Sequence, residues 1–282
     1  MIKNKTVTAI IFMIMGALVL AIQNSLVKTL SFFYSIWEIV FFRALSGTII
    51  AILLLFLFGW NKLITTKPIV HLIRAFSSVL CVVLFFFGLK YLLFAENQAL
   101  LHTAPIIATL LALPFLGEKI NLGNLLAIFF GFIGIIIIIK PSYNLFNLYA
   151  LLPLASAFFM ATAYIATRYL MDTESSVTVI FYYSIALLFT SIFFLPNNFI
   201  FPDLSHLTVL FSLGIFGSLG HYFLSQAAKF AEVRIITPFE YTGFIFVAVI
   251  GYLFFNEIPS LRVVLGALCI ILSGSYIIYK TR

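Results

Sequence analysis

Long apolar stretches alternate with short polar interruptions along this chain, and the spacing predicts ten membrane-crossing helices. A crossing needs roughly 20 mostly apolar residues. Stretches of that size run over about 6–28, 34–58, 70–89, 94–115, 122–140, 147–169, 175–195, 206–228, 234–255 and 260–279. Clear breaks occur from Asn61-Lys62 to Pro68, and at Lys140-Pro141-Ser142, Asp172-Thr173-Glu174 and Pro196-Asn197-Asn198. The division between the third and fourth stretches is the least marked, because Lys90 and Glu96 stand in nearly continuous hydrophobic sequence. No stretch shows the two-residue alternation of a barrel strand, so the backbone must satisfy itself as helix.

The pattern repeats. Residues 90–135 lie over 229–274 at one constant offset without a gap. Lys90-Tyr91 meets Lys229-Phe230, His102-Thr103 meets Tyr241-Thr242, Glu118 meets Glu257 and Ala127 meets Gly266. Earlier parts align more loosely, with Val27-Lys28 against Thr167-Arg168. Five crossings per copy is an odd number, so the second copy enters the bilayer from the opposite side. The expected fold is an all-α integral membrane protein of ten transmembrane helices in two five-helix inverted repeats, residues 1–141 and 142–282. A substrate would sit between such halves. With the N-terminus in the cytoplasm, eleven basic residues fall on that side and four on the other, with Arg43 inside a span. The excess of positive charge therefore puts both termini in the cytoplasm. Residues 1–24 have a basic start and an apolar stretch, but no convincing small-x-small cleavage site follows, so they read as a retained first helix.

Composition agrees. The chain is 63% hydrophobic and 9% charged, where a soluble domain carries roughly 25% charged residues. The net charge of +7 does not indicate nucleic acid, because the basic residues are dispersed singly between apolar runs. Cys81 and Cys269 lie mid-span without a Cys or His at metal spacing, and read as structural thiols. No metal or other cofactor is called for. Small residues at helical steps, Gly123, Ala127 and Gly131 in the fifth span and Gly266, Ser273 and Gly274 in the tenth, suit close helix packing.

Ionisable and polar groups at membrane depth cost a few kcal/mol and are functional candidates by default. Span two holds Glu38, near the outer end and open to either function or solvent, and the deeper Arg43. The Arg43 guanidinium could clamp a carboxylate or phosphate, or serve in a structural ion pair. Gln98 and His102 share a face of span four, and Pro105 beyond them frees a backbone carbonyl. His102 reads equally as a proton-coupling group or as a neutral hydrogen-bonded histidine. Span nine carries Glu240 two residues after Pro238, then Tyr241 at the repeat position of His102. Asn24, Tyr164 and His221 with Ser225 are weaker candidates. Glu118 and Glu257, at span ends, read as solvated or helix-capping groups. The expected substrate-binding set is thus Asn24, Arg43, Gln98, His102, Tyr164, His221, Glu240 and Tyr241, with Glu38, His102 and Glu240 as candidates for coupling.

These residues resemble the EamA-like family of the drug/metabolite transporter superfamily, over nearly the whole chain. The resemblance is carried by Phe41-Phe42-Arg43-Ala44, Leu116-Gly117-Glu118, residues 131–141, Pro238-Phe239-Glu240-Tyr241-Thr242 and Phe255-Asn256-Glu257. Residues 22–28, 37–43, 67–74 and 256–259 are similar to its S-adenosylmethionine uptake branch. The resemblance implies a ten-helix metabolite carrier of the cell membrane that works by alternating access. Small four-helix members use a carboxylate in their first helix; here that helix has no acid, so the proton site does not transfer.

The expected function is therefore secondary transport of a small organic metabolite, with protons or a counter-substrate as coupling partners, lipid as solvent and a homodimer as one open assembly. S-adenosylmethionine or a related metabolite is the narrower alternative. An embedded enzyme finds no support: the chain has no His-Glu-x-x-His or Gly-x-Ser-x-Gly, and its aspartates, Asp172 and Asp203, both lie in loops. A scaffold without transport would tolerate a purely apolar interior, which the buried polar set argues against.

Overall fold

The computed structural model describes residues 2–104, 106–108, 110–111, 122–139, 148–171, 173–230, 239 and 241–280. Pro105, Glu118, Pro238 and Glu240 lie outside the described residues, as do the Lys140-Pro141-Ser142 break and Asp172. Helices run in the order α1 (Ile2–Leu30), α2 (Ile36–Phe58), α3 (Pro68–Tyr91), α4 (Phe94–Leu101), α5 (Leu122–Ile139), α6 (Leu151–Met171), α7 (Ser176–Phe193), α8 (Leu204–Phe230), α9 (Thr242–Phe255) and α10 (Leu261–Lys280). Each falls on one of the ten apolar stretches, and the faint third boundary is the Leu92-Leu93 step between α3 and α4. Five described segments are long and apolar enough to cross a membrane: Thr6–Leu30, Ile36–Leu57, Pro68–Tyr91, Leu148–Thr167 and Leu204–Leu224. Shorter apolar segments lie in α5, α7, α9 and α10.

Local chemistry sets the ends. Ser35 and Glu38 form a reciprocal capping box at the start of α2, and Ser175 accepts from Thr178 N–H at the start of α7. Pro68 opens α3, where its missing N–H costs nothing. Gly59 ends α2 at φ 98°, a conformation that only glycine adopts without strain. Asn256 closes α9 at φ 52°, donating its N–H to Gly251 O.

The packing follows the repeat. The main contacts are α1 with α8 and α9, α2 with α7 and α8, α3 with α6 and α7, α4 with α6 and α9, and α5 with α10. Exchanging each helix with the one five places on maps this set onto itself, as a pseudo-two-fold relation between the copies requires. The connections α1–α2, α3–α4, α7–α8 and α9–α10 meet at one end of the bundle. There Lys28 Nζ pairs with Glu257 Oε1 at 2.7 Å and donates to Leu92 O at 2.9 Å, and Ile200 N–H donates to Glu38 Oε1 at 2.6 Å. At the other end α2–α3 meets α6–α7: Thr65 Oγ1 donates to Glu174 Oε1 at 2.8 Å, and Tyr182 Oη donates to Leu63 O at 2.8 Å. The equivalent connections α1–α2 and α6–α7 thus sit at opposite ends.

Glycines let the two halves of this packing approach. A Cβ on Gly134 would stand 2.6 Å from Gly266 O, and one on Gly266 would stand 2.7 Å from Gly134 O. The backbones of α5 and α10 are therefore in contact, the packing role expected for these spans. Phe94, Ile39, Leu100, Leu187 and Leu213 are fully buried between helices, whereas Phe56, Leu57, Phe193 and Phe254 are largely exposed on the outside. Exposed phenylalanine on this scale suits a surface solvated by hydrocarbon.

Candidate functional site

Two polar clusters stand inside the apolar bundle. The first is built on helix ends. α4 stops at Leu101, His102 and Thr103 form a turn, and helical structure resumes at Ala104. His102 is the C-cap of α4 and Tyr241 the N-cap of α9, so the two repeat-equivalent residues both stand at a helix end. Their rings meet edge to face with centroids 5.2 Å apart. Gln98 Nε2 lies 3.4 Å from His102 Nε2, and all three side chains are buried. The expected juxtaposition of His102, Gln98 and Tyr241 is thus present, with Glu240 outside the described residues.

The second cluster lines a narrow cavity of about 20 Å³, room for a single water, between α2 and α3 of one copy and α7 and α8 of the other. Its chemistry comes from Arg43, Arg74, Tyr183 and His221. Arg43 is 5% exposed and donates from Nη1 to Tyr183 Oη at 2.7 Å. Its guanidinium carbon lies 5.6 Å from the Phe86 ring centroid and 5.8 Å from that of Tyr183. Arg74 approaches the same Tyr183 ring at 5.3 Å, and Nη1 donates to Val179 O at 3.0 Å. The His221 ring stands edge-on to Tyr183 with centroids 6.0 Å apart. Glycine makes room: a Cβ on Gly217 would come within 3.2 Å of both Arg43 Nη2 and Gln23 Nε2. Among the described residues no acceptor meets Gln23 Nε2 or Arg43 Nε, although both are buried. Such donors inside a bilayer protein are costly unless something polar arrives to take them.

Several expectations are corrected. Glu38 does not meet solvent: it is 1% exposed, and its carboxylate accepts from Ser35 N–H at 2.8 Å and from Ile200 N–H at 2.6 Å. Both oxygens hold backbone, which makes it a capping residue and a tie between loops. Tyr164, 39% exposed on α6, and Asn24, half-buried on α1, stand apart from the described lining of this cavity and remain candidates. Glu257 does cap a helix, accepting from Phe94 N–H at 2.7 Å at the start of α4, but it is half-buried and held in an ion pair with Lys28 rather than simply solvated. Among the described residues, Arg43 and His221 line the cavity, whereas His102, Gln98 and Tyr241 meet one another outside its lining.

Arg74, Gln23 and Tyr183 were not singled out by the sequence reading. Arg74 lies inside the third apolar stretch and met the criterion that flagged Arg43. Counting it with the basic residues at the cytoplasmic end hid its depth. Gln23 carries no charge and is adjacent to Asn24, which took its place.

Comparison with known proteins places the arrangement. The sequence model described as the EamA-like transporter family matches residues 7–140 and again 147–279. The chain is 28% identical over 268 residues to the pseudopaline exporter CntI of Pseudomonas aeruginosa, covering 94% of each. It is 28% identical over 246 residues to the S-adenosylmethionine uptake transporter of Rickettsia bellii, covering 87% of this chain and 84% of that one. A riboflavin transporter of Vibrio cholerae is 29% identical over 222 residues, covering 78% and 71%. A solved crystal structure superimposes with a TM-score of 0.67 at 17% identity, covering 97% of this chain and 96% of that one, which shows a shared fold.

Proposed function

Because the chain belongs to the EamA-like transporter family and is a multi-pass membrane protein, we propose that it is a secondary carrier, moving a small organic metabolite across the cell membrane by alternating access. The observation that carries this reading is the cavity lined by α2 and α3 from one copy and α7 and α8 from the other. A site shared by two repeats changes its exposure when one repeat rocks against the other. The bundle crosses the membrane ten times with both termini in the cytoplasm, and the ties at its two ends lie along the routes in and out. His102, Gln98 and Tyr241, gathered around two helix ends, form the second part of the pathway. With Glu38 committed to backbone, coupling to protons falls to His102 or Glu240, and exchange against a counter-substrate needs neither.

The named relatives move substrates in opposite directions, pseudopaline outward and S-adenosylmethionine inward, so the fold serves either. Uptake of S-adenosylmethionine or a related metabolite is supported by the Rickettsia bellii relative. Its carboxylate suits the arginines, but its sulfonium cation does not.

Reconstituted vesicles test the proposal. Flux should fall at least tenfold in His102→Ala or Glu240→Ala at unchanged protein level. Full transport by both variants would remove those residues from the mechanism, and no flux by the parent protein for any solute would refute the carrier.

A further inference from the structure

Arg43 and Arg74 are two cations set against one tyrosine ring, inside the span region, from neighbouring helices. Among the described residues the ion pairs are Lys28 with Glu257, His71 with Glu174 and His206 with Asp203, and none involves either arginine. The described lining of the cavity contains no carboxylate. Their guanidinium carbons lie 5.8 and 5.3 Å from one ring centroid, hence no more than the sum of these apart, and unit charges at that limit repel by roughly 1.5 kcal/mol at an effective dielectric constant of 20, in addition to the cost of taking each from water. An arrangement of this kind is unfavourable empty and favourable around an anion.

The remaining donors match a carboxylate. Tyr183 Oη takes only one of the five Arg43 N–H groups, at Nη1, which leaves Nε and Nη2, and Gln23 Nε2 lies beside Nη2 across Gly217. Nε and Nη2 form one edge of the guanidinium fork, the edge that grips two carboxylate oxygens in parallel. Arg74 spends Nη1 on Val179 O and has a long 3.4 Å contact from Nε to Thr167 Oγ1, so its Nη2 is the end without a described acceptor. The Tyr183 ring supplies an apolar wall, and the cavity, about 20 Å³ as it stands, has to widen as the repeats rock before an organic anion enters.

We propose that the transported metabolite is an organic anion, seated with a carboxylate on the Nε/Nη2 edge of Arg43 and the amide of Gln23, and with further negative charge facing Arg74. This rests on the carrier reading above and names the substrate class of that cavity. The sharing of work is specific: Arg43 orients one carboxylate, Gln23 makes the orientation unique, and Arg74 selects for a second negative group.

Thermal unfolding of the purified full-length protein in detergent tests binding separately from transport. Succinate and glutarate are the dianionic probes, succinamide and glutaramide their uncharged counterparts, and inorganic phosphate the competing oxyanion. The diacids should raise Tm, while the diamides and phosphate should leave it unmoved. The stabilisation should disappear in Arg43→Gln, weaken in Arg74→Gln with monoacids such as butyrate now equal to diacids, and return in part in Arg43→Lys. Because a glutamine variant at Arg43 could fail to fold, Gln23→Leu provides a second reading, with at least tenfold weaker binding of the diacids. Stabilisation equal for diacids and diamides, or diacid binding unchanged in Gln23→Leu and Arg74→Gln, would overturn the assignment. Stronger stabilisation by phosphate would overturn the carboxylate in particular. Diacids that bind but do not cross a vesicle membrane would count against the carrier and leave the anion site standing.

Discussion

Lys28 shows how single residues carry charge through this fold. Its ammonium is buried, yet it meets Glu257 at 2.7 Å, Leu92 O at 2.9 Å and the face of Phe255 at 5.5 Å. Removing one partner would strand the other charge in a dry site, which costs about 3–5 kcal/mol, whereas replacing both with apolar residues is often near neutral. Lys28→Met and Glu257→Leu should therefore each lower Tm by well over the shift seen for the double variant; equal and additive losses would show that the pair is not coupled. Glu38 makes the opposite prediction about function. Glu38→Ala removes an acceptor for two backbone N–H groups and should destabilise by about 1–3 kcal/mol, while the pH dependence of flux stays as in the parent. A lost pH dependence in that variant would return Glu38 to coupling. At this scale the sequence revealed depth better than direction. Arg43 and His102 stood out because ionisable groups are rare among apolar neighbours. Whether such a group faces a cavity, a loop or another helix depends on its position around the helix axis, and apolar runs with no polar face do not encode that.

Glycine at helix crossings separates packing from site geometry at the scale of elements. At Gly266 a Cβ would press on the backbone oxygen of Gly134 at 2.7 Å, and backbone in two packed helices does not yield. Gly266→Ala should therefore force α5 and α10 apart at a cost of about 1–3 kcal/mol, read as a lower Tm. At Gly217 the added Cβ meets only the ends of the Arg43 and Gln23 side chains, at 3.2 Å. Gly217→Ala should leave Tm nearly unchanged and raise KM severalfold by displacing those side chains; the reverse pattern in the two variants would contradict the packing described. The existence and order of the helices were legible because twenty-residue apolar runs leave the backbone one solution in lipid. The interruption at His102-Thr103 was partly legible, from Pro105 and the polar residues near it. The capping of α4 by Glu257 was not, since it joins residues far apart in the chain through a fold that sequence spacing does not reveal.

Across the whole molecule the repeat is what organises both clusters. The repeat alignment paired His102 with Tyr241, and their rings meet at 5.2 Å. The arginine cavity draws on both copies but is not symmetric, because Arg43 and Arg74 belong to the first copy and Tyr183 and His221 to the second. A symmetric scaffold suits the opening of either end; an asymmetric lining suits recognition of one kind of solute. The ties at the two ends give a direct consequence. Cysteine pairs in place of Thr65 and Glu174, or of Lys28 and Glu257, joined by a short thiol cross-linker, should each stop flux, and reduction of a cleavable linker should restore it. Undiminished flux through either cross-linked end would exclude movement there.

The most direct measurement uses vesicles loaded with a defined mixture of carboxylate, neutral and cationic metabolites, with release followed by mass spectrometry. Vesicles holding the parent protein should release one or more anionic carboxylates faster than empty vesicles, and those holding Arg43→Gln should retain them. Equal retention of every solute by parent and empty vesicles would contradict a carrier, and selective release of cations by the parent protein would contradict the arginine cavity as its binding site.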